Sequence, residues 1–306
     1  MSDEHGHSHG GADLADHRGT LATVLGVTVV VLVVEVVGAL VSGSLALLAD
    51  AGHMLTDVAG LVLGLVAAIL SRRPATDART WGYRRAEVLG AAAQAAVLLA
   101  VGIFVLVEAV RRLVAPPEVT SGAMLIFGAV GLVGNLIGLA VLVGGRTASL
   151  NLRAAFLEVL NDALGSVAVL VAAAVIALTG WLRADALASL VIGGLIIPRT
   201  IGLLRDAVDV LLESTPKGLD LAQVRRRLLQ VDHVHDVHDL HCSLVATGLP
   251  VLTAHVVVDE SCFRDGHLRS MLDGVQDCLH ADFDVTHSTI QFESATHGGH
   301  EFATHP

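Results

Sequence analysis

The chain has 306 residues, of which 53% are hydrophobic and only 16% are charged, and its mean hydropathy is +0.68. This composition is typical of an integral membrane protein and excludes an ordinary soluble globular fold. The formal net charge is -11, but the acidic residues concentrate after Pro216 and at the N-terminus, so the charge predicts no nucleic-acid partner. The three cysteines form no CxxC pair, which argues against a disulfide framework and fits a reducing compartment.

Both ends of the chain are rich in histidine. Residues 1–18 are polar and glycine-rich, which predicts a disordered tail, and they lack the basic stretch of a signal peptide. The histidines of this tail and of residues 295–306 are His5, His7, His9, His17, His297, His300 and His305. We expect each tail either to collect metal ions loosely or to be inert.

Six apolar segments have about the 20 residues that a helix needs to cross the hydrocarbon core of a bilayer. They are residues 21–41, 45–70, 88–110, 123–143, 154–178 and 186–204. Pro198 and Arg199 interrupt the sixth segment. We therefore predict a kink near its end, with the Arg199 side chain reaching the membrane interface.

Basic residues in the short loops predict the orientation of the spans. Most of them follow spans two, four and six, and few follow spans three and five. The first group is Arg72, Arg73, Arg79, Arg84, Arg85, Arg146, Arg153, Arg205 and Lys217, and the second is Arg111, Arg112 and Arg183. Both termini are therefore expected in the cytoplasm.

Ionisable residues inside two spans are the main functional signal. Span two holds Asp50, His53 and Asp57, and span five holds Glu158 and Asp162. Such residues cost about 2.5–3.5 kcal/mol each at mid-membrane, so they usually mark an ion or proton path. Residues four apart share one helix face, which predicts two pairs, His53 with Asp57 and Glu158 with Asp162. Two helices that cross at these pairs offer four ligands, the number that zinc prefers.

The predicted depths of the two pairs are compatible with one shared site. At about 1.5 Å per residue, Asp57 lies roughly 18 Å below the start of span two, and Asp162 lies roughly 12–18 Å above the start of span five. Three ionised carboxylates and a neutral histidine around a dication sum to a charge of -1, whereas the emptied site carries -3. Buried like charges favour proton uptake. Metal and protons then compete for the same lone pairs, as an antiporter requires.

The pattern changes beyond Pro216 to that of a small α+β domain. Amphipathic stretches predict helices, and β-branched or alternating stretches predict strands. In chain order these are a helix over 219–231, strands over 234–245 and 251–258 with a turn at 248–250, a helix over 266–280, and a strand over 285–293. We expect a sheet with the helices on one face, and the alternation places His238 on the face of Leu240.

Five stretches resemble the cation diffusion facilitator family, in the family's order and over nearly the whole chain. They are SLALLADAGHMLTD (Ser44 to Asp57), GYRRAEVLGA (Gly82 to Ala91), FLEVLNDALGSV (Phe156 to Val167), LLESTP (Leu211 to Pro216) and VHDLH (Val237 to His241). The bacterial branch that exports zinc, cadmium and cobalt fits best. The resemblance implies a homodimer in the bacterial inner membrane that exchanges a divalent cation for protons. It also implies six transmembrane helices and a cytoplasmic domain with a ferredoxin-like, metallochaperone-like fold.

The resemblance also implies two metal sites. The transport site takes two ligands from each of spans two and five, namely His53, Asp57, Glu158 and Asp162. A regulatory site in the cytoplasmic domain takes one histidine from each strand, namely His238, His255 and His287, and Asp239 or Cys242 could complete it. Zn²⁺ is expected both as the transported substrate and as the regulatory ligand, without an organic cofactor.

Glu158 departs from the family pattern, because zinc-selective members commonly carry histidine there. A carboxylate in place of an imidazole makes the donor set harder, and carboxylates suit magnesium, calcium and manganese better than imidazole does. Zinc remains the expected metal, with cadmium, cobalt and manganese open. The alternative is a related transporter selective for Mn²⁺, Fe²⁺ or Co²⁺.

Other interpretations concern single residues and other classes of function. Asp50 could assist the movement of protons or the entry of metal, or it could contribute only to packing between helices one and two. Glu35 and Asn135 are expected to form hydrogen bonds between helices. An intramembrane metalloenzyme would need an open coordination position and a paired general base, so we expect no enzymatic activity. No Walker A motif is present, which argues against ATP-driven pumping. A metal sensor without transport would depend on the region beyond Pro216 alone.

We therefore expect four regions along the chain. They are a tail over 1–18, a transport domain over 19–215, a regulatory domain over 216–294 and a second tail over 295–306. The expected partners are divalent cations, protons, the lipid bilayer and a second copy of the chain.

Overall fold

The computed structural model describes residues 18–143 and 150–297. This part begins with long helices and continues with a small α+β domain, which confirms the predicted fold class. The four histidines predicted for the N-terminal tail, together with His300 and His305, lie outside the described residues.

Six helices of the described part are long and apolar enough to cross a membrane, as predicted. They are α1 (Arg18–Ser42), α2 (Leu45–Ser71), α3 (Ala86–Val114), α4 (Ser121–Val143), α5 (Leu150–Thr179) and α6 (Arg183–Leu211). Helix α6 continues through Pro198 to Leu211, beyond its predicted end. Pro198 lacks one backbone N–H donor, and this single loss does not end the helix. Close to Pro198, the Thr200 hydroxyl donates a hydrogen bond to Ile196 O at 2.9 Å.

The chain divides into two compact units, residues 1–62 with 93–203 and residues 63–92 with 204–306. In the first unit, small side chains such as Ala46, Ala109 and Ala173 are buried between helices. Large aliphatic side chains such as Leu40 and Leu195 are exposed. Small buried residues let helices approach closely, and an apolar outer surface suits lipid. The chain is therefore an integral membrane protein.

The N-terminus of α2 is capped by its own sequence and by a carboxylate of α6. The backbone N–H of Leu47 donates to Ser44 Oγ at 3.2 Å, and the Ser44 hydroxyl donates to Asp185 Oδ1 at 2.5 Å. Asp185 also accepts the backbone N–H groups of Leu45 and Ala46 at 2.8 and 3.2 Å. These bonds satisfy the first backbone donors of α2 and place a negative charge at the positive end of its dipole.

The second unit contains a three-stranded sheet. Its elements are α7 (Leu221–Leu228), β1 (Val234–Ala246), β2 (Leu249–Val258), α8 (Cys262–Asp265), α9 (Leu268–Phe283) and β3 (His287–Ser294). β2 is central, β1 pairs with it antiparallel and β3 pairs with it parallel. The order is the predicted α-β-β-α-β with the short α8 added. Pro250, predicted in the turn, lies in β2 instead, and the left-handed residue of the turn is Gly248 (φ +72°).

The core of this domain lies between one sheet face and the two longer helices. Leu228 of α7 and Val275 and Leu279 of α9 share a buried cluster with Leu252 and Val256 of β2. Helical and strand periodicities both point to these residues. The opposite face of the sheet is therefore left for polar side chains.

A bulge in β1 changes which side chains share a face. Asp239 has φ +48°, and the pairing with β2 shifts by one residue after His238. Val237 and Leu240 both belong to the core, so His238 lies on the opposite face, directly across from His255. The predicted common face of His238 and Leu240 is wrong, because one extra residue in a strand inverts the alternation that follows.

Candidate metal sites

His53 and Asp57 approach each other on one face of α2. His53 Nε2 lies 3.5 Å from Asp57 Oδ2, the arrangement that a spacing of four residues predicts. His53 is buried and Asp57 is partly buried. The buried imidazole and carboxylate provide two donor atoms that face a common point.

Asp162 of α5 adds a third donor atom to this point. Its Oδ1 lies 3.9 Å from His53 Nε2, and one donor atom from each of the three residues lies within 4.8 Å of the others. Zinc–ligand bonds of about 2.0 Å in a tetrahedron place neighbouring donor atoms about 3.3 Å apart. The two histidine distances, 3.5 and 3.9 Å, are longer than this separation by roughly 0.2 and 0.6 Å.

The carboxylate oxygens that face His53 are available to a cation. Asp57 Oδ2 and Asp162 Oδ1 are buried and accept no hydrogen bond from the described residues. Buried carboxylate oxygens normally have a partner, because leaving one without compensation is costly. A bound cation or protons would supply the missing interaction.

Glu158, the fourth predicted ligand, lies next to this cluster but outside it. Its Oε2 accepts a hydrogen bond from Arg199 Nη2 of α6 at 2.8 Å. It also lies within hydrogen-bonding reach of Asp57. The three-residue group whose donor atoms converge does not include Glu158. Three residues of the predicted set of four are therefore brought together, and the Arg199 side chain, predicted to reach the membrane interface, forms an ion pair with the fourth.

Asp50 belongs to a second, fully buried polar group beside the first. A methyl group added at Gly165 of α5 would lie 2.6 Å from Asp50 Oδ1, and one added at Gly131 of α4 would lie 2.5 Å from Glu35 Oε1. Because glycine has no side chain at these two positions, the carboxylates of Asp50 and Glu35 have room to lie against the helices. Asn135, predicted as a partner between helices, donates to Ser166 Oγ at 3.2 Å.

The small α+β domain holds a second convergent group on the sheet face opposite the core. Glu293 of β3 lies between two histidines, with Oε1 2.8 Å from His255 Nδ1 and Oε2 3.3 Å from His238 Nε2. One donor atom of each residue lies within 4.8 Å of the others. Asp239 Oδ2 lies 3.8 Å from His255 Nε2, so this carboxylate is also adjacent. Two imidazoles with carboxylates are a donor set that suits zinc.

Two residues predicted for this second group lie elsewhere. The His287 ring makes an edge-on contact with Trp81, with the ring centroids 5.1 Å apart, and Glu293 takes its place near His238 and His255. Cys242 is buried in the core on the other face, and burial raises the pKa of its thiol. A neutral buried thiol is a poor metal ligand, because the thiolate is the form that binds.

A further histidine group lies on the surface of this domain. Asp259 accepts hydrogen bonds from the rings of His233 and His235, at 2.9 and 2.6 Å. These bonds hold the pKa of Asp259 below its usual range. All three side chains are exposed, and their donor atoms do not form a convergent group among the described residues. The pattern is that of a surface ion-pair network.

Family profiles match the chain over nearly all of the described part. The profile described as the cation efflux transmembrane domain matches residues 21–212, and that of the cation efflux protein cytoplasmic domain matches residues 216–295. The chain belongs to the cation diffusion facilitator family.

Relatives in this family are similar to the chain over most of their own length. The cation efflux system protein CzcD of Alcaligenes sp. (strain CT14) is 41% identical over 294 residues, covering 95% of this chain and 90% of that protein. The zinc transporter ZitB of Escherichia coli (strain K12) is 40% identical over 293 residues, covering 94% and 92%. The cadmium, cobalt and zinc/H⁺-K⁺ antiporter of Bacillus subtilis (strain 168) is 35% identical over 268 residues, covering 87% and 86%.

Solved structures are also similar to parts of the chain. Among them is the metal-bound C-terminal domain of the CzcD transporter from Cupriavidus metallidurans, at 36% identity, a TM-score of 0.22, and coverage of 24% of this chain and 99% of that one.

In this cation diffusion facilitator, the sequence predicted that α2 and α5 supply the ligands of the first group, but it did not predict the ion pair of Glu158 with Arg199. It also did not predict that Glu293 belongs to the second group. Parallel pairing of β2 and β3 sets Val257 opposite Glu293 and His255 opposite Gln291. Glu293 therefore shares the face of His255. The signal in the sequence was a single glutamate in an otherwise uncharged strand, and the structure shows that this glutamate is buried.

Proposed function

We propose that this protein exports divalent metal ions from the cytoplasm in exchange for protons, with Zn²⁺ as the main substrate and Cd²⁺ or Co²⁺ as further ones. The observation that carries the proposal is the convergence of His53, Asp57 and Asp162 donor atoms within 4.8 Å inside membrane-spanning helices. The names of the relatives, which include zinc transport and cadmium, cobalt and zinc antiport, support it.

In this proposal the transported ion is held by His53, Asp57 and Asp162, with Glu158 as the fourth ligand. One imidazole with carboxylates is an acceptable tetrahedral set for zinc. The carboxylates also keep a transporter selective for Mn²⁺, Fe²⁺ or Co²⁺ as the second candidate, because oxygen donors suit harder ions.

Exchange for protons follows from the charge of the same residues. Burial of Asp57 and Asp162 beside His53 makes an emptied, ionised cluster costly, because little water remains to solvate it. Protons relieve this cost by binding the lone pairs that the metal ion vacates. Loss of metal and uptake of protons then occur at one place, which couples the two fluxes.

The cellular setting is proposed with the function. The bias of arginine toward the loops after spans two, four and six supports cytoplasmic termini in a bacterial inner membrane. We divide the chain into a transport domain over 19–215 and a regulatory domain over 216–294, and the matching cytoplasmic domain supports a homodimer. The relatives are transporters by name, and the proposal includes no enzymatic activity.

Metal-driven proton flux in proteoliposomes tests the function. Vesicles that contain the purified protein, a pH-sensitive dye and a metal indicator are exposed to Zn²⁺, Cd²⁺, Co²⁺ or Mn²⁺. Metal entry should release protons from the vesicles. A vesicle interior more acidic than the outside should therefore accelerate metal entry, most strongly for Zn²⁺. Metal movement that ignores the pH gradient would contradict the coupling, and a rate equal to that of protein-free vesicles would contradict transport.

We propose further that His238, His255 and Glu293 bind a regulatory Zn²⁺ in the cytoplasmic domain. Replacing Glu293 by glutamine keeps the size of the side chain but removes the charge that lies between the two histidines. We expect the full-length protein to lose one tightly bound Zn²⁺ per chain, with at least about tenfold weaker binding at this site. Equilibrium zinc titration of the purified variant measures this loss.

Glu260→Gln provides the matched control for that titration, because Glu260 is an exposed carboxylate of the same domain. It should bind as many zinc ions as the parent protein. An unchanged number of bound ions in Glu293→Gln would show that the group on the sheet face is not a zinc site.

A further inference from the structure

The ion pair between Glu158 and Arg199 connects a predicted metal ligand to a residue with no role so far. Arg199 Nη2 lies 2.8 Å from Glu158 Oε2, and the two side chains are 50% and 29% exposed. Arg199 follows Pro198 in α6, whereas Glu158 lies in α5, one turn before Asp162. The pair therefore links a third helix to the two helices of the transport site.

Glu158 reaches the transport site but does not join it. It lies within hydrogen-bonding reach of Asp57. Nevertheless, the donor atoms that converge come from His53, Asp57 and Asp162 alone within the described part of the chain. The carboxylate of Glu158 is instead turned to a guanidinium, whose planar set of N–H donors matches a carboxylate and stays charged at any working pH.

Arg199 changes the charge of the site in the absence of metal. If all three are ionised, the carboxylates of Asp57, Glu158 and Asp162 with a neutral His53 carry -3, and the guanidinium reduces this to -2. A metal ion that takes Glu158 as a ligand must compete with a cation that is already bound to it. Arg199 and the transported dication are thus alternative partners of one carboxylate.

We propose that Arg199 is a positioning residue that holds Glu158 away from the transported metal ion until the two exchange partners. The ion first binds His53, Asp57 and Asp162, and becomes four-coordinate only when Glu158 leaves Arg199. This inference rests on the proposed transport function. Its consequence is weaker binding than four free ligands would give, which favours release, since a transported ion must bind well enough to enter and loosely enough to leave.

The test is a double-mutant cycle on zinc affinity in the full-length protein. Wild type, Arg199→Gln, Glu158→Gln and the double variant are titrated with Zn²⁺ in detergent against a chromophoric chelator. Removing the competing guanidinium should tighten binding about three- to fivefold in Arg199→Gln. The double variant should bind like Glu158→Gln alone, because without the carboxylate Arg199 has nothing to hold back.

The cycle separates this role from two others. If Arg199 had only a structural role, Arg199→Gln would have a zinc affinity equal to or lower than that of wild type. Either result overturns the proposal. A general repulsion between Arg199 and the metal ion would tighten binding equally with and without Glu158, which overturns it too. Transport adds a second readout, because Arg199→Gln should lower KM and kcat together as the tighter site releases its ion more slowly.

Three further variants complete the experiment. Arg205→Gln removes an exposed arginine from the same helix and should change affinity less than about twofold. Arg199→Lys keeps the charge but not the planar set of donors, so it should tighten binding less than Arg199→Gln, and it provides the comparison if Arg199→Gln fails to fold. Asp162→Asn tests the site itself: zinc affinity equal to that of wild type would refute the transport site, whatever Arg199 does.

Discussion

Replacing Asp162 with asparagine is expected to lower metal-driven proton flux at least about 100-fold. The amide has nearly the same shape as the carboxylate, but it is neutral and a weaker ligand. Asp162 Oδ1 is 3.9 Å from His53 Nε2, is buried and accepts no hydrogen bond from the described residues, so its charge is directed at the convergent point. Loss of residues that merely support metal ligands costs 10–100-fold in affinity or activity, and loss of a ligand should cost more.

The measurement compares flux in proteoliposomes with zinc affinity in detergent for the same variant. Asp206→Asn is the matched control, because Asp206 is an exposed aspartate of α6 that pairs with Lys217. It should transport like the parent protein. Flux above one tenth of the parent rate in Asp162→Asn, with unchanged zinc affinity, would rule out Asp162 as a ligand of the transported ion.

The group of His53, Asp57 and Asp162 shows how much of a site can be predicted from the sequence alone. The spacing of four residues predicts that His53 and Asp57 share one face of α2, and matching depths in the membrane predict that Asp162 comes near them. Both follow from the regular rise and twist of a helix. The pairing of Glu158 with Arg199 does not follow, because a long carboxylate can choose among partners on several helices. That choice depends on where Arg199 of α6 lies relative to Glu158 of α5, which the sequence does not give.

The group of His238, His255 and Glu293 shows a different limit of prediction from the sequence. Strand alternation is a reliable guide only while the pairing stays regular, and the bulge at Asp239 inverts it within β1. The register of the parallel pair β2–β3 then decides that Glu293, and not His287, lies beside His255. Aspartate tolerates the left-handed backbone better than most residues, so the bulge position is explicable afterwards. Its presence depends on the partner strand, which is remote in sequence.

Replacing Asp185 with alanine is expected to cause the largest loss of stability in the transmembrane unit. Asp185 is fully buried and accepts the Ser44 hydroxyl and the backbone N–H groups of Leu45 and Ala46. Arg112 Nη1 also lies 3.7 Å from Asp185 Oδ2. Alanine would leave the three buried donors without this acceptor, at about 1–3 kcal/mol each before relaxation, whereas Arg112 keeps its contacts with Glu108 and with Gly43 O.

A total loss of about 3 kcal/mol should lower the unfolding temperature by roughly 6–12 °C in a domain of this size. Heating followed by size-exclusion chromatography with fluorescence detection measures the change in detergent. Asp185→Asn should lose less, because its amide oxygen still accepts one of the bonds, and Asp209→Ala, an exposed aspartate of the same helix, should change stability by less than about 0.5 kcal/mol. Equal unfolding temperatures of Asp185→Ala and Asp209→Ala would mean that the Asp185 carboxylate at the start of α2 contributes no more to stability than an exposed carboxylate does. A selective loss in Asp185→Ala would instead establish that α6 stabilises the helix that carries His53 and Asp57 through its first turn.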